Sequence, residues 1–403
     1  MCDNVRPDHL QPFVPLKDKA NFYFLRANDS RKTLENWDEL PGKMLWTKNF
    51  TSAQQVLNEI KAEKILFFSV DSYVDILFNL AAKELNIPTF HMEHGVRFYE
   101  FRKARFEAGQ ETLKAEKRNL FSKLKRITLA NIKNKIFRKN SINMLSKPAK
   151  EEFWRCCDFM QSYGPNYGFM EVGTPEALKL QHYIAFSRES FAYHKKFSKL
   201  GENAKVHYVG IPHYDAYSAC DGKENREKTI IFIDQPYEKT SFSGWSSESK
   251  KTLINDISLI AKQHGFDLLI KKHPNSLEEA FPESINALSE EEFRDRARDC
   301  PIILGFCSTL LLPFMAMENK IVLCLDMKEY PLYGMVDPLV ETGAAQRISH
   351  LQELSRLLAS PALFQQSLAQ LKGNKKDYIE KWLFKFDGKS QERFEKLLLS
   401  DSR

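Results

Sequence analysis

Between Thr229 and Pro274 the chain reads TIIFIDQPYEKTSFSGWSSESKKTLINDISLIAKQHGFDLLIKKHP. An apolar β-type run, Thr229–Ile233, stops at Asp234-Gln235-Pro236, and apolar residues at helical spacing run from Ser247 to His264. A second apolar run, Asp267–Ile270, stops at Lys271-Lys272-His273-Pro274. Strand, helix and strand in succession form the repeating unit of a doubly wound α/β sheet. Working outward, the same alternation continues with Ile302–Leu304 and Ile321–Leu325, and the last forty residues read as helical. Toward the N-terminus, Phe22–Leu25, Ile65–Val70, Pro88–Met92, Tyr183–Phe186 and Val206–Val209 read as strands, with helices at about 52–62 and 74–85. The fold expected is α/β, with two Rossmann-like halves. The polar stretch SACDGKENREK, 218–228, reads as the linker between a domain at 1–217 and a second at 229–403.

The size and composition fit that reading. The chain has 403 residues, 43% hydrophobic and 28% charged, enough to bury two cores and too apolar for a disordered chain. The first twenty residues hold no apolar core of a secretory signal, and the longest apolar run is Leu310–Met317, too short to span a bilayer. The seven cysteines are an odd number with no CxxC, so reduced thiols and a cytoplasmic location are expected, with no metal site.

Charge is unevenly spread. The net +6 conceals a segment, 101–140, with thirteen Lys/Arg against three acids. Leu120, Phe121, Leu124 and Ile127, then Leu129, Ile132 and Ile136, fall at three- and four-residue steps, which describes one or two basic amphipathic helices. Such a helix suits a solvated domain face, or an anionic inner-membrane surface or lipid-linked acceptor. Nucleic acid is not expected as a partner, because no reader motif accompanies the charge.

Two Rossmann-like halves bind ligands beyond the carboxyl ends of their strands, so the residues that follow each strand matter most. Met92-Glu93-His94-Gly95 places an acid and an imidazole at one strand end, suited to acid–base chemistry. Tyr208–Asp215 ends another strand in a Gly/Pro turn, with Asp215 a candidate to face the ligand. Asp234 follows Thr229–Ile233 and is expected to point outward as base, nucleophile or ribose ligand. Lys272, His273 and Pro274 end one strand, and Gly305-Phe306-Cys307-Ser308-Thr309 ends the next and opens a helix. A helix start bearing two hydroxyls, with an imidazole and a lysine nearby, is a phosphate receptor.

The order of these motifs resembles the GT-B glycosyltransferases that build bacterial surface polysaccharides from CMP-activated sugars. These are β-Kdo transferases of capsule and O-antigen synthesis, with sialyl- and polysialyltransferases and CDP-glycerol glycerophosphotransferases as more distant relatives. The resemblance covers about residues 60–330 and rests on EHG at Glu93–Gly95, VGIPHYD at Val209–Asp215, KKHP at Lys271–Pro274 and CST at Cys307–Thr309. It implies a transferase of an ulosonic acid sugar from a CMP-sugar donor to a lipopolysaccharide or capsule acceptor, with no cofactor. His273, Lys272, Pro274, Ser308 and Thr309 would hold the donor phosphate, and Glu93, His94 and Asp234 would compete for the catalytic roles. Arg97, Arg102 or Asp215 would meet the sugar carboxylate or acceptor. Two departures stand out. The glutamate that commonly follows the CST segment is absent, Pro313 and Phe314 standing there with Glu318 the nearest acid, and no DDG or EDG motif occurs, which favours Kdo over sialic acid. UDP-GlcNAc 2-epimerases share the two-domain plan and mark one alternative, a CDP-glycerol-type transferase another, and a non-catalytic membrane-surface protein a third.

Overall fold

The computed structural model describes residues 7–27, 39–96, 129–164, 166–219, 227–239, 245–328 and 334–400, with residues 99, 102, 103, 106 and 107. The chain divides into two compact units, one of Met1–His213 with Gln391–Arg403 and one of Tyr214–Ser390. Gln391–Arg403, which the sequence assigns to the second half, therefore belongs to the first.

The first unit holds two parallel sheets. Strands β1 (Phe22–Arg26) and β2 (Gly42–Trp46) form a separate pair. Strands β3 (Ile65–Phe67), β4 (Thr89–Met92), β5 (His182–Ala185) and β6 (Lys205–Tyr208) form a four-stranded sheet in that order. The helix Tyr73–Glu84 links β3 to β4, and it starts with a reciprocal cap: Ser72 Oγ accepts from Asp75 N at 3.2 Å and Asp75 Oδ2 accepts from Ser72 N at 3.1 Å. Ile76, Leu77 and Phe78 of that helix are fully buried with Phe67, Phe137 and Phe153 in one apolar core.

The helices Leu129–Met144 and Lys147–Tyr163 lie between β4 and β5. The first covers the end of the basic segment, and residues 108–128 lie outside the described ones. Its packing differs from the expected stripe. Phe137, Ser141 and nearby Leu145 are buried, whereas Ile136 is 51% exposed. Phe137 wins the inward position because it meets Phe78 at a ring distance of 6.0 Å, and Ser141 Oγ accepts from Ala53 N at 2.8 Å. The second helix was signalled by Ser146 as cap and Pro148 in the first turn, and the sequence reading passed over it. The chain returns to this unit with the helix Ser390–Leu399: Phe394 packs edge-on against Phe13 at 5.3 Å, and Lys64 Nζ caps the carbonyls of Leu398 at 2.6 Å and Ser400 at 2.5 Å.

The second unit is a six-stranded parallel sheet of β7 (Thr229–Ile233), β8 (Asp267–Lys271), β9 (Asn286–Ala287), β10 (Ile302–Gly305), β11 (Ile321–Leu325) and β12 (Gln346–Ile348). Its spatial order is β12-β11-β10-β7-β8-β9. Numbered within the unit this is 3-2-1-4-5-6, the classic Rossmann order, with the switch point between β7 and β10. Strands β7, β10 and β11 are buried along their whole length, as expected of a parallel sheet covered on both faces. The helix Ser247–Gln263 contributes Leu253, Ile254 and Ile257 to the core against Ile230, Phe232 and Ile270. Among the described residues no helix is long and apolar enough to cross a membrane.

Candidate active site

In the second unit the strands converge where the topology reverses. Register sets the arrangement: Ile233 pairs with Lys271 on one side and Gly305 on the other, so Asp234, Lys272 and Phe306 all leave the sheet at one level. Gly305 suits the close approach of the two strands there, since a Cβ would stand 3.0 Å from the Ile233 carbonyl.

Asp234 does not point outward as expected. It is 2% exposed and its carboxylate is directed into protein. Its Oδ2 accepts from His273 N at 3.0 Å and from Ser276 Oγ at 2.6 Å, and Oδ1 lies 2.5 Å from Lys250 Nζ. The physical reason is the buried ammonium of Lys250 beneath the strand end, which draws the carboxylate inward. Glu238 joins the same cation at 2.9 Å and accepts from Leu277 N at 2.9 Å. Burial opposes its ionisation, but those hydrogen bonds outweigh burial and hold its pKa below the ordinary carboxylate value.

The loop above this cluster carries His273, which is half-buried. Its Nδ1 accepts from Asn275 N at 3.1 Å, so in the neutral ring the proton sits on Nε2. Lys272 turns to Glu278 at 2.6 Å and lies 4.6 Å above the Phe281 ring. Pro274 is exposed.

Ser308 and Thr309 stand at the end of β10, opening a short 3-10 turn, Thr309–Leu311, and then a helix of five residues, Leu312–Ala316. The helix start expected at these two hydroxyls is thus a 3-10 turn, with the α-helix beginning three residues beyond Thr309. Ser308 is buried and its hydroxyl accepts from Leu310 N at 3.3 Å, while Thr309 is exposed. Tyr214 OH donates to the Thr309 carbonyl at 2.5 Å and secures this turn. Burial raises the Cys307 thiol to about 12, so it stays protonated at neutral pH.

In the first unit Glu93 is 1% exposed just beyond β4. Oε2 accepts from Phe186 N at 2.6 Å, and Oε1 lies 3.2 Å from His194 Nε2. The His194 ring packs 4.0 Å from that of His91. Glu93 thus ties the end of β5 to the following helix, Arg188–Phe197. His94, next in sequence, is half-buried against His9 at 4.7 Å and Phe68 at 5.6 Å. Arg102 lies 6.0 Å over the Tyr193 ring, and Arg97 lies outside the described residues. Asp215 accepts from Ser390 N at 3.0 Å, capping the helix Ser390–Leu399. Among the described residues no three His, Cys, Asp or Glu side chains cluster so as to hold a metal ion.

The sequence reading placed His273, Ser308 and Thr309 at the ends of successive strands; in the structure β9 intervenes in the chain and β7 lies between β8 and β10 in the sheet, so these residues stand at the carboxyl ends of the two strands that flank β7. That reading missed Lys250, Glu238, Ser276 and Tyr214. The only available signal was Lys250 in the first turn of an otherwise apolar helix face.

A sequence model of the family described as alpha-2,8-polysialyltransferase (POLYST) matches residues 17–326. The chain belongs to the alpha-2,8-polysialyltransferase family. The match runs from ahead of β1 to the residue after β11, and so contains Glu93, His94, Asp234, His273, Ser308 and Thr309. Comparison with curated proteins finds none that matches. Among solved structures, a wall teichoic acid polymerase TagF carrying H548A shares 10% identity over 97% of this chain and 84% of that one, at a TM-score of 0.51. A putative UDP-N-acetylglucosamine 2-epimerase from Listeria monocytogenes shares 12% identity over 97% and 92%, at 0.49. A glycotransferase of kitacinnamycin shares 11% over 97% and 95%, at 0.48. This polysialyltransferase-family chain has the GT-B fold and is a glycosyltransferase of the sialic-acid type.

Proposed function

We propose that the protein transfers a sialic acid from a CMP-activated donor to a hydroxyl of a glycan acceptor, with the donor phosphate received at the β7/β8/β10 strand ends. The observation that carries this is the His273 loop, held over a buried carboxylate at the switch point with Nε2–H as the ring's donor. Departure of CMP places negative charge on a phosphate oxygen, and a positioned donor stabilises that charge more than the ground state. His273 Nε2–H donates to that oxygen, and the Thr309 hydroxyl with the backbone around it supplies further donors. Lys272 contributes long-range positive charge, tempered by Glu278.

Asp234 positions the His273 loop. Both its oxygens are engaged, so a covalent route through it would break three contacts at once. His94, half-buried beyond β4, takes the acceptor-side base role, with Glu93 holding the local framework. The family favours sialic acid over the Kdo suggested by the missing acid motif. The helix Leu129–Met144, with Lys133, Lys135, Arg138 and Lys139 and no acid, suits an anionic acceptor or membrane surface.

The test is nucleotide binding followed by transfer. CMP should raise thermal stability over CDP, UDP and GDP, by about 2.7 kcal/mol at a hundredfold excess over its dissociation constant, and His273→Ala should abolish the effect. Transfer should then proceed from CMP-sialic acid in preference to CMP-Kdo. Stabilisation by UDP alone, with conversion of UDP-GlcNAc in the absence of acceptor, would overturn the proposal.

A further inference from the structure

We infer that Lys250 is the positioning residue of the donor-phosphate loop, clamping residues 273–277 from beneath through two carboxylates. This rests on the donor-site reading above. Lys250 is 1% exposed in the first turn of the helix Ser247–Gln263. A helix N-terminus and an apolar interior both disfavour a cation, and Leu253, Ile254 and Ile257 of the same helix are buried as hydrocarbons. A buried ion cluster is a poor source of stability compared with apolar residues of similar volume, and its best-attested use is to fix one arrangement.

The contacts show which arrangement is fixed. Lys250 Nζ has Asp234 Oδ1 at 2.5 Å, Glu238 Oε2 at 2.9 Å, Gln235 O at 3.2 Å and Ser276 Oγ at 3.2 Å. Asp234 then holds His273 N and Glu238 holds Leu277 N, the two ends of the loop. Two carboxylates this close to one cation repel each other without it, and either one swinging away releases an end of the loop. The Phe281 ring, 4.7 Å from Lys250 Nζ, also lies beneath Lys272, so the cluster reaches the base of the neighbouring residue as well. The link from Lys250 to His273 runs through Asp234, which accepts from the His273 backbone N–H, so the orientation of His273 follows from where residues 273–277 are pinned.

The experiment compares Lys250→Met with the double variant Lys250→Met/Glu238→Gln. The single variant leaves two uncompensated carboxylates, and the double restores the cluster's net charge while keeping an acceptor for Leu277 N. CMP affinity is measured by calorimetry, donor and acceptor KM by steady-state kinetics, and the His273 imidazole by nitrogen-15 NMR without nucleotide. The single variant should weaken CMP binding and raise the donor KM by about tenfold or more, and the double should return both to within about threefold of wild type. Acceptor KM should not move. The Nδ1-acceptor signature of His273 should be lost in the single and restored in the double. A folded single variant with wild-type CMP affinity and imidazole signals overturns the inference, as does a double no better than the single. If the single does not fold, a folded double with wild-type imidazole signals supports the inference, and a double that is unfolded or has His273 displaced overturns it. Should wild type bind no CMP, the donor reading fails by itself, and the imidazole signals alone decide the role of Lys250.

Discussion

Glu93→Ala separates a positioning carboxylate from a catalytic one. Glu93 is 1% exposed, accepts from Phe186 N at 2.6 Å and faces His194 Nε2 at 3.2 Å. Removing it orphans a buried N–H and strips His194 of a partner, a loss in the range of about 3–5 kcal/mol for one side of a buried pair. For a unit of this size each kcal/mol moves the melting temperature by about 2–4 °C, so a fall of about 10 °C is expected. Glu93→Gln keeps an oxygen for Phe186 N–H and loses only the charge, so it should fall by roughly half as much. Calorimetry reads the transition of the first unit, and transfer from CMP-sialic acid reads turnover per folded molecule. A Glu93→Ala protein melting within about 2 °C of wild type would refute the burial argument. A Glu93→Gln protein that melts normally but loses about 10²–10⁴-fold in kcat would make Glu93 the general base instead.

Two further outcomes test other parts of the fold. His182 Nδ1 and His207 Nε2 lie 3.0 Å apart on β5 and β6, and burial, then the neighbouring His207, lowers His182 to about 4, with His207 lowered by burial too. The unfolded value is near 6.5, so the unfolded chain takes up the proton first: stability from this pair is complete above about pH 6.5 and is lost as pH falls toward about 4. The urea midpoint should drop across that window more steeply in wild type than in His182→Gln, and equal slopes would refute the account. Gly305→Ala places a Cβ 3.0 Å from Ile233 O and 3.5 Å from Leu311 Cδ2, forcing β7 and β10 apart at a cost of about 1–3 kcal/mol; an unchanged melting curve and CMP affinity would show that the strands yield freely.

The sequence was most legible where burial is complete on both faces. Strands β7 and β11 appear in full as apolar runs, because a parallel strand covered on both sides tolerates few polar residues. Strand β2 was not legible: Gly42 and Lys43 open it, and its partner β1 makes a sheet of its own that apolar runs cannot assign. Ile136 and Phe137 show the limit of periodicity, since adjacent apolar residues compete for one inward direction and only the neighbouring Phe78 decides it. The motif residues His273, Ser308 and Thr309 were found because strand ends can be counted. The direction of Asp234 was not, because it depends on Lys250, sixteen residues away on a helix face that reads as apolar. Asp215 likewise looked like a ligand contact until Ser390, far along the chain, supplied the amide it caps.

The return of Gln391–Arg403 to the first unit also bears on how the chain is made. Synthesis proceeds from the N-terminus, and domains generally fold as they emerge. The second unit, Tyr214–Ser390, is contiguous and can complete its sheet as soon as β12 and the following helices leave the ribosome. The first unit cannot: Phe394, which packs on Phe13, and the carbonyls that Lys64 caps emerge only after the whole of the second unit. The domain begun first is therefore finished second, leaving an open apolar seam around Phe13 throughout translation of the intervening residues. A stop codon placed just before Gln391 would leave that seam open for good, and the damage would appear in the N-terminal domain, while the second unit, whose last residue precedes the stop, would be whole.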